Sequence, residues 1–354
     1  MVVGTPSLTS ASSKLPALTL SPARLLITSQ FSKPQLPPTS LDLSGQTAIV
    51  TGANNGIGLA CAKLLLQQGL SHLIIAVRSE AKGHEAVQQL RQITSDAKIE
   101  VWRLDMGSYI SIDAFVKRCE TLHRLDYAIL NAGMGNATLQ INESTGHEET
   151  MQVNFLSTMY LSVLLLPLLK KKSLSSKPGR LTVVNSGTAM HCELPEAKSD
   201  PLIPAFDFKA TFDGMSHYAK SKLLGQLFID KLARHVDSKD VIINCVDPGL
   251  TKDTGLMDKA PIVIKVFMTI MTKLLGRTQE QAASTYIDAA IVKGEETHGC
   301  CYDAQSCRVH LCGRIQLLII FSNLLCIINF DHDVRGNLGT SNNGSYVMDW
   351  RIYP

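Results

Sequence analysis

Tyr218 and Lys222 stand four residues apart, so on a helix they share one face. A phenol titrates near ~10 and is a poor acid–base catalyst at neutral pH. An ammonium one turn away favours the phenolate and lowers that value, which fits the phenol to exchange a proton. Taken alone, the pair reads as an exposed tyrosine followed by a lysine. It does not stand alone. Ser186 closes an apolar run, Asn131-Ala132-Gly133 closes another, and Pro248-Gly249 follows a third, with Thr251 and Thr254 just beyond. Asn154 falls inside a helical stretch, where an asparagine is costly unless its amide is bonded. Each has a dull explanation as a cap or a turn former. Found together, in this order and at strand ends, they are hard to explain that way.

A second kind of chemistry begins at Thr51-Gly52-Ala53-Asn54-Asn55-Gly56-Ile57-Gly58. An apolar run leads in and a helical pattern leads out. That layout brings a pyrophosphate close to free N–H groups at the positive end of a helix. Gly52 suits the tight turn, and Gly56 and Gly58 let ligand and strand approach. In dinucleotide sites an acidic residue about twenty positions past the glycines holds the ribose 2′-hydroxyl, whereas an arginine suits a 2′-phosphate. Arg78 takes that place, with no acid beside it before Glu80. Its guanidinium can bind a phosphate bidentately, and Lys82 can assist. The plain alternative is a solvated arginine at a strand end. The expected cofactor is NADP(H) rather than NAD(H).

The elements that must position these residues alternate from Gln46 onward. Strands are predicted over Thr47–Thr51, His72–Val77, Ile99–Leu104, Tyr127–Asn131, Arg180–Asn185 and Val241–Val246. Helices are predicted over Ile57–Gln68, Glu80–Ile93, Ile110–Thr121, Glu148–Leu169, His217–His235 and Gln279–Val292. Their apolar runs suit burial on both faces. With right-handed crossovers this is an α/β fold, a single doubly wound parallel sheet.

The chain has 354 residues, 45% hydrophobic and 18% charged, with a net charge of +3. That charge is too small to suggest nucleic acid, and no basic block is interleaved with aromatics. No stretch reads as a membrane span. Nine cysteines lack metal-ligand spacing, so no metal site is expected, and they read as reduced apolar fillers. A reducing compartment follows, with a cytoplasmic location as the expectation. Residues 1–42 are rich in Ser, Thr, Pro and Leu, and residues 1–41 contain no Asp or Glu. They read as an N-terminal arm, in which Ala23–Phe31 suits a short helix on the domain; an organelle transit peptide is the alternative.

Thr51–Gly58, Asn131–Gly133, Asn154, Ser186, Tyr218 with Lys222, and Pro248–Gly249 together resemble the short-chain dehydrogenase/reductase family. The likeness covers about Leu43 to Gly299. It is strongest to the retinol-dehydrogenase-like branch and to its fungal members, many of them tailoring enzymes of secondary metabolism. The resemblance implies a Rossmann-type domain over 43–299 that interconverts a carbonyl and an alcohol. It implies Tyr218 as general acid and base, and Ser186 as donor to the substrate oxygen. Lys222 would bind the ribose hydroxyls and tune Tyr218. Asn154 would hold a water in a proton relay, and Thr251 would contact the nicotinamide amide. Asp105 matches an acidic residue near the adenine. Homodimer contacts would run through the helices at Glu148–Leu169 and Gln279–Val292. The competing reading is a catalytically silent NADP-binding protein acting through a partner.

On the substrate side lies a loop, His191–Ser216, with Phe206, Phe208 and Phe212. Ala260–Leu275 is apolar on most sides and falls where the family places its substrate lid. Together they suggest a bulky apolar small-molecule substrate. Core packing, an oligomer contact and peripheral membrane contact through the lid, flanked by Lys259, Lys265 and Lys273, are the other roles open to it. Residues 300–343 do not fit the pattern and read as an atypical insertion, ahead of a last strand in 344–354.

Overall fold

The computed structural model describes residues 28–32, 34–174, 177–255, 262–303 and 306–308. Strands and helices alternate: β1 (Thr47–Thr51), α1 (Gly56–Gln67), β2 (His72–Val77), α2 (Glu80–Leu90), β3 (Lys98–Arg103), α3 (Tyr109–Cys119) and β4 (Tyr127–Leu130). Then come α4 (Glu149–Lys172), β5 (Gly179–Val184), α5 (Gly214–Ala233), β6 (Val241–Asp247), α6 (Ile262–Leu275), α7 (Gln279–Ile287), β7 (Cys301–Asp303) and β8 (Ser306–Arg308). The sheet order is β3-β2-β1-β4-β5-β6-β7-β8. The first seven of these strands run parallel, and β8 pairs antiparallel with β7.

Alternation along the strands divides the core into two layers. Ala48 and Val50 of β1 face one side with α1, α2 and α7, while Ile49 faces the other with α3, α4 and α5. Both faces are covered, which is why these strands read as near-continuous apolar runs. The strand order turns between β2 and β4 on either side of β1, and a crevice opens there at the carboxyl ends.

Local features set where α5 begins and how α4 carries Asn154. Helix α5 starts at Gly214, because Asp213 caps it by accepting from Ser216 N at 2.7 Å. A Cβ on Gly214 would stand 2.1 Å from Asn136 O, so the start needs glycine. Helix α4 holds a π-helical segment, Gln152–Ser157, that carries Asn154. Such bulges cluster at functional sites.

Three expectations are corrected. Cys301–Asp303 forms the seventh parallel strand beside β6, so the domain edge placed at residue 299 falls inside the sheet. The last strand expected in 344–354 lies outside the described residues, as do residues 309–343 of the expected insertion and most of the arm. One helix, Glu149–Lys172, is after all long and apolar enough to cross a membrane, but 72% of its most apolar window is buried as the core helix α4. Cys300 is disulfide-bonded, whereas Cys61, Cys119 and Cys245 are buried thiols.

Candidate active site

The glycine turn leaves β1 with Gly52 at φ +66° and Gly56 at φ +56°, a backbone region that side chains rarely adopt. A Cβ on Gly56 would meet nothing within 4 Å, because that position faces the open crevice. A Cβ on Gly58 would stand 2.5 Å from Asn131 Nδ2 and 2.7 Å from Gly52 O. One glycine therefore admits a ligand and the other admits a neighbouring strand. Gly58→Ala is expected to lower the unfolding free energy by about 1–3 kcal/mol, read by urea denaturation, because a backbone oxygen cannot step aside. An unchanged midpoint would mean that the packing is slack.

The exit of β4 is tied to this turn. Asn131 Nδ2 donates to Thr51 O at 2.9 Å, and its Oδ1 accepts from the buried Tyr286 hydroxyl at 3.1 Å. Ala132 N donates to Thr51 Oγ1 at 2.9 Å. The Asn131 amide thus ties the exit of β4 to the turn, and Asn131 also lines the crevice. At the far end, exposed Arg78 and Lys82 line the crevice beyond β2. Asp105 lines it too, its Oδ1 accepting from Gly107 N at 2.9 Å.

The crevice encloses about 1330 Å³. Besides the residues just named, Asn54, Asn55, Ile57, Gly133, Pro248, Gly249 and Thr251 line it, as do Ser186, Tyr218 and Lys222. Asn154 does not. It lies one layer behind, where Oδ1 accepts from Met134 N at 2.9 Å and Nδ2 donates to Met134 O at 2.8 Å and to Ser221 Oγ at 3.0 Å. Its side chain braces the β4 exit against α5.

Tyr218, on the second turn of α5, lines the crevice together with Ser186, which lies just past β5. Ser186 Oγ also accepts from Thr188 Oγ1 at 3.0 Å. Lys222 Nζ donates to Val184 O at 2.9 Å and stands 5.8 Å from the centre of the Tyr218 ring. The electrostatics differ from the sequence expectation. Burial pushes the Tyr218 phenol up to about 12; the Ser186 hydroxyl pulls down and the Asp247 carboxylate pushes up. Lys222 is itself desolvated and drawn down to about 8. Asp247 was not singled out from the sequence: an acid ahead of Pro-Gly looks like a turn former. Yet it is buried, and its Oδ2 sits 2.8 Å from where a Gly187 Cβ would be.

The depressed lysine carries a stability prediction. Its ordinary value is 10.5, so between about 8 and 10.5 the unfolded chain holds the extra proton. Stability therefore rises with pH across that window, and below it the buried ammonium is a constant burden. Lys222→Met is expected to raise Tm at neutral pH, with the advantage shrinking as pH climbs past 8 in thermal unfolding scans. An advantage that ignores pH would contradict the assignment.

The substrate side is corrected as well. Phe206 is buried against His217 and Phe208 points to solvent, so neither they nor Phe212 line the crevice. Met134, Met190 and Met215 do. The loop is held to α5 by Lys220 Nζ on Glu196 Oε1 at 2.6 Å. Helix α6 turns Lys265, Thr269 and Thr272 to the crevice and Val266, Ile270 and Leu274 to solvent. Among the described residues no cluster of His, Cys, Asp and Glu could hold a metal.

The short chain dehydrogenase family model matches residues 46–194. The chain is 45% identical over 269 residues to the short chain dehydrogenase/reductase mfmJ of Annulohypoxylon moriforme, covering 76% of this chain and 78% of that one. It is 45% identical over 284 residues to the short chain dehydrogenase opdN of Penicillium oxalicum, covering 77% and 91%. Among solved structures, an oxidoreductase of E. coli, yciK, aligns with a TM-score of 0.58 at 22% identity, over 77% of this chain and 100% of that one. A short chain dehydrogenase of Shigella flexneri complexed with NADP aligns at 0.53 and 21% identity, over 75% and 100%. These last two show the shared fold, and the fungal relatives show the kinship: the chain belongs to the short-chain dehydrogenase/reductase family, whose members are nicotinamide-dependent oxidoreductases.

Proposed function

We propose that this chain interconverts a carbonyl and an alcohol on a bulky apolar small molecule, a secondary-metabolite intermediate, with NADP(H) as cofactor. One observation carries the reading: Tyr218, Ser186 and Lys222 face the same crevice as the glycine turn. The turn fits a dinucleotide because Gly56 opens onto the crevice, and Arg78 with Lys82 fits a 2′-phosphate at its far end. The nicotinamide, when bound, supplies or accepts the hydride.

The chain's own residues do the rest. Thr188 donates to Ser186 Oγ, which leaves the Ser186 proton for a substrate oxygen. Tyr218 passes its proton to that oxygen as negative charge develops there. Lys222, held by Val184 O, is placed to bind ribose hydroxyls, and Thr251 to meet the nicotinamide amide. Asn154 acts by bracing Met134 against α5. The outward stripe of Val266, Ile270 and Leu274 supports a surface contact of α6, with a membrane or a second copy as partner.

The test is NADPH consumption across a panel of carbonyl compounds, repeated with NADH. Oxidation of NADPH by a bulky apolar ketone supports the proposal. NADPH binding with no turnover across the panel favours the silent reading instead.

A further inference from the structure

A short piece of the arm sits inside the site. Residues 28–31 form a single helical turn, and Ser29, Gln30 and Phe31 line the same crevice as Tyr218. The turn is held by two side chains. Gln30 clasps one peptide unit of the loop after Pro248-Gly249: Oε1 accepts from Leu250 N at 2.8 Å and Nε2 donates to Leu250 O at 3.1 Å. The same Nε2 donates to Leu275 O, the end of the lid helix, at 2.8 Å. From the other side, buried Arg277 donates to Pro248 O at 2.8 Å, to Ser32 O at 3.2 Å and to Ser29 O. Its backbone pairs with Leu250 and Lys252. Gly249, at φ +72°, lies beneath: a Cβ there would stand 2.7 Å from Arg277 Nη1 and 3.0 Å from Gln30 Oε1.

Three segments far apart in sequence thus lock together at the mouth of the site. Their side-chain bonds go to backbone atoms, so they fix position rather than merely attract. What the lock presents is Phe31. It is 65% exposed, although it lines the crevice. An apolar ring that is held at the rim of a crevice and largely exposed is placed to cover a ligand.

We propose that the N-terminal segment Thr28–Phe31 is a wall of the substrate site, that Phe31 is its specificity-determining residue for apolar, ring-bearing carbonyl compounds, and that Gln30 and Arg277 are positioning residues. The assignment deepens the carbonyl-reductase reading, naming what the outer wall recognises. It also gives the arm a task in the folded domain.

The experiment uses the full chain saturated with NADP+, with phenanthrenequinone as the probe. Binding is read by calorimetry and needs no turnover. Phe31→Ala is expected to weaken probe binding about tenfold, the worth of one aromatic contact. A parallel NADP+ titration checks that the variant is folded. Gln30→Ala is expected to weaken probe binding as well, and the two changes together to cost less than their product, because either one removes the same wall. Equal affinity of the wild type and Phe31→Ala, or no detectable binding to either, would overturn the proposal. Fully independent effects of Gln30→Ala and Phe31→Ala would overturn the positioning role. Tight, Phe31-dependent binding without NADPH-driven reduction would support the wall while removing the carbonyl reading.

Discussion

Tyr218→Phe is expected to lower turnover by about a thousandfold, the typical worth of a positioned acid–base group. The change removes one oxygen and leaves the ring, so packing of α5 is preserved. Ser186 keeps its bond from Thr188 and can still polarise a substrate oxygen. What is lost is the proton donor. The expected pattern is a collapse of kcat with NADPH affinity within a few-fold of wild type, measured by initial rates and by cofactor fluorescence. Turnover near the wild-type rate would end the assignment of Tyr218. The raised phenol bears on direction too. With its value pushed to about 12, Tyr218 holds its proton at neutral pH, which suits donation to a carbonyl oxygen. Oxidation, which needs the phenolate, is expected to quicken as pH rises.

Arg78→Asp is expected to weaken NADPH binding roughly a hundredfold, because a charge-assisted pair is replaced by repulsion between carboxylate and phosphate. NADH binding should improve in the same variant, since an acid at this place can accept from the ribose hydroxyls. Arg78 is exposed, so the difference should narrow at high salt. Titrating both cofactors at two ionic strengths checks it. An unchanged NADPH-to-NADH preference would remove the 2′-phosphate role and leave Arg78 as a solvated strand end.

Much of this was readable from local pattern. β1 and β2 begin and end where their apolar runs do, because a strand covered on both faces is apolar at nearly every position. The glycine turn was legible because side chains rarely adopt φ +66°, and a Cβ at Gly58 would not let Asn131 come so close. The starts of α5 and the ends of α2 were less so, since caps and frayed turns leave weak traces. The strand beside β6 was not legible. Cys301–Asp303 is too short to carry a periodic signal, and it is a strand only because β6 offers it an open edge.

The candidate site divides along the same line. Residue type and spacing by themselves determined the chemistry on offer: a phenol and an amine one helical turn apart, a hydroxyl at a strand end, a phosphate cradle and a guanidinium beyond it. These are properties of single residues and near neighbours, which a chain carries however it folds. Only the tertiary structure decided how each group is used. It engaged the amides of Asn131 and Asn154 in bracing, buried Phe206, and set Asp247 beside the phenol. It also brought Gln30 to Leu250 and Arg277 to Ser29 across more than two hundred intervening residues. Burial and long-range hydrogen bonds depend on which surfaces meet, and nothing local in the chain records that meeting.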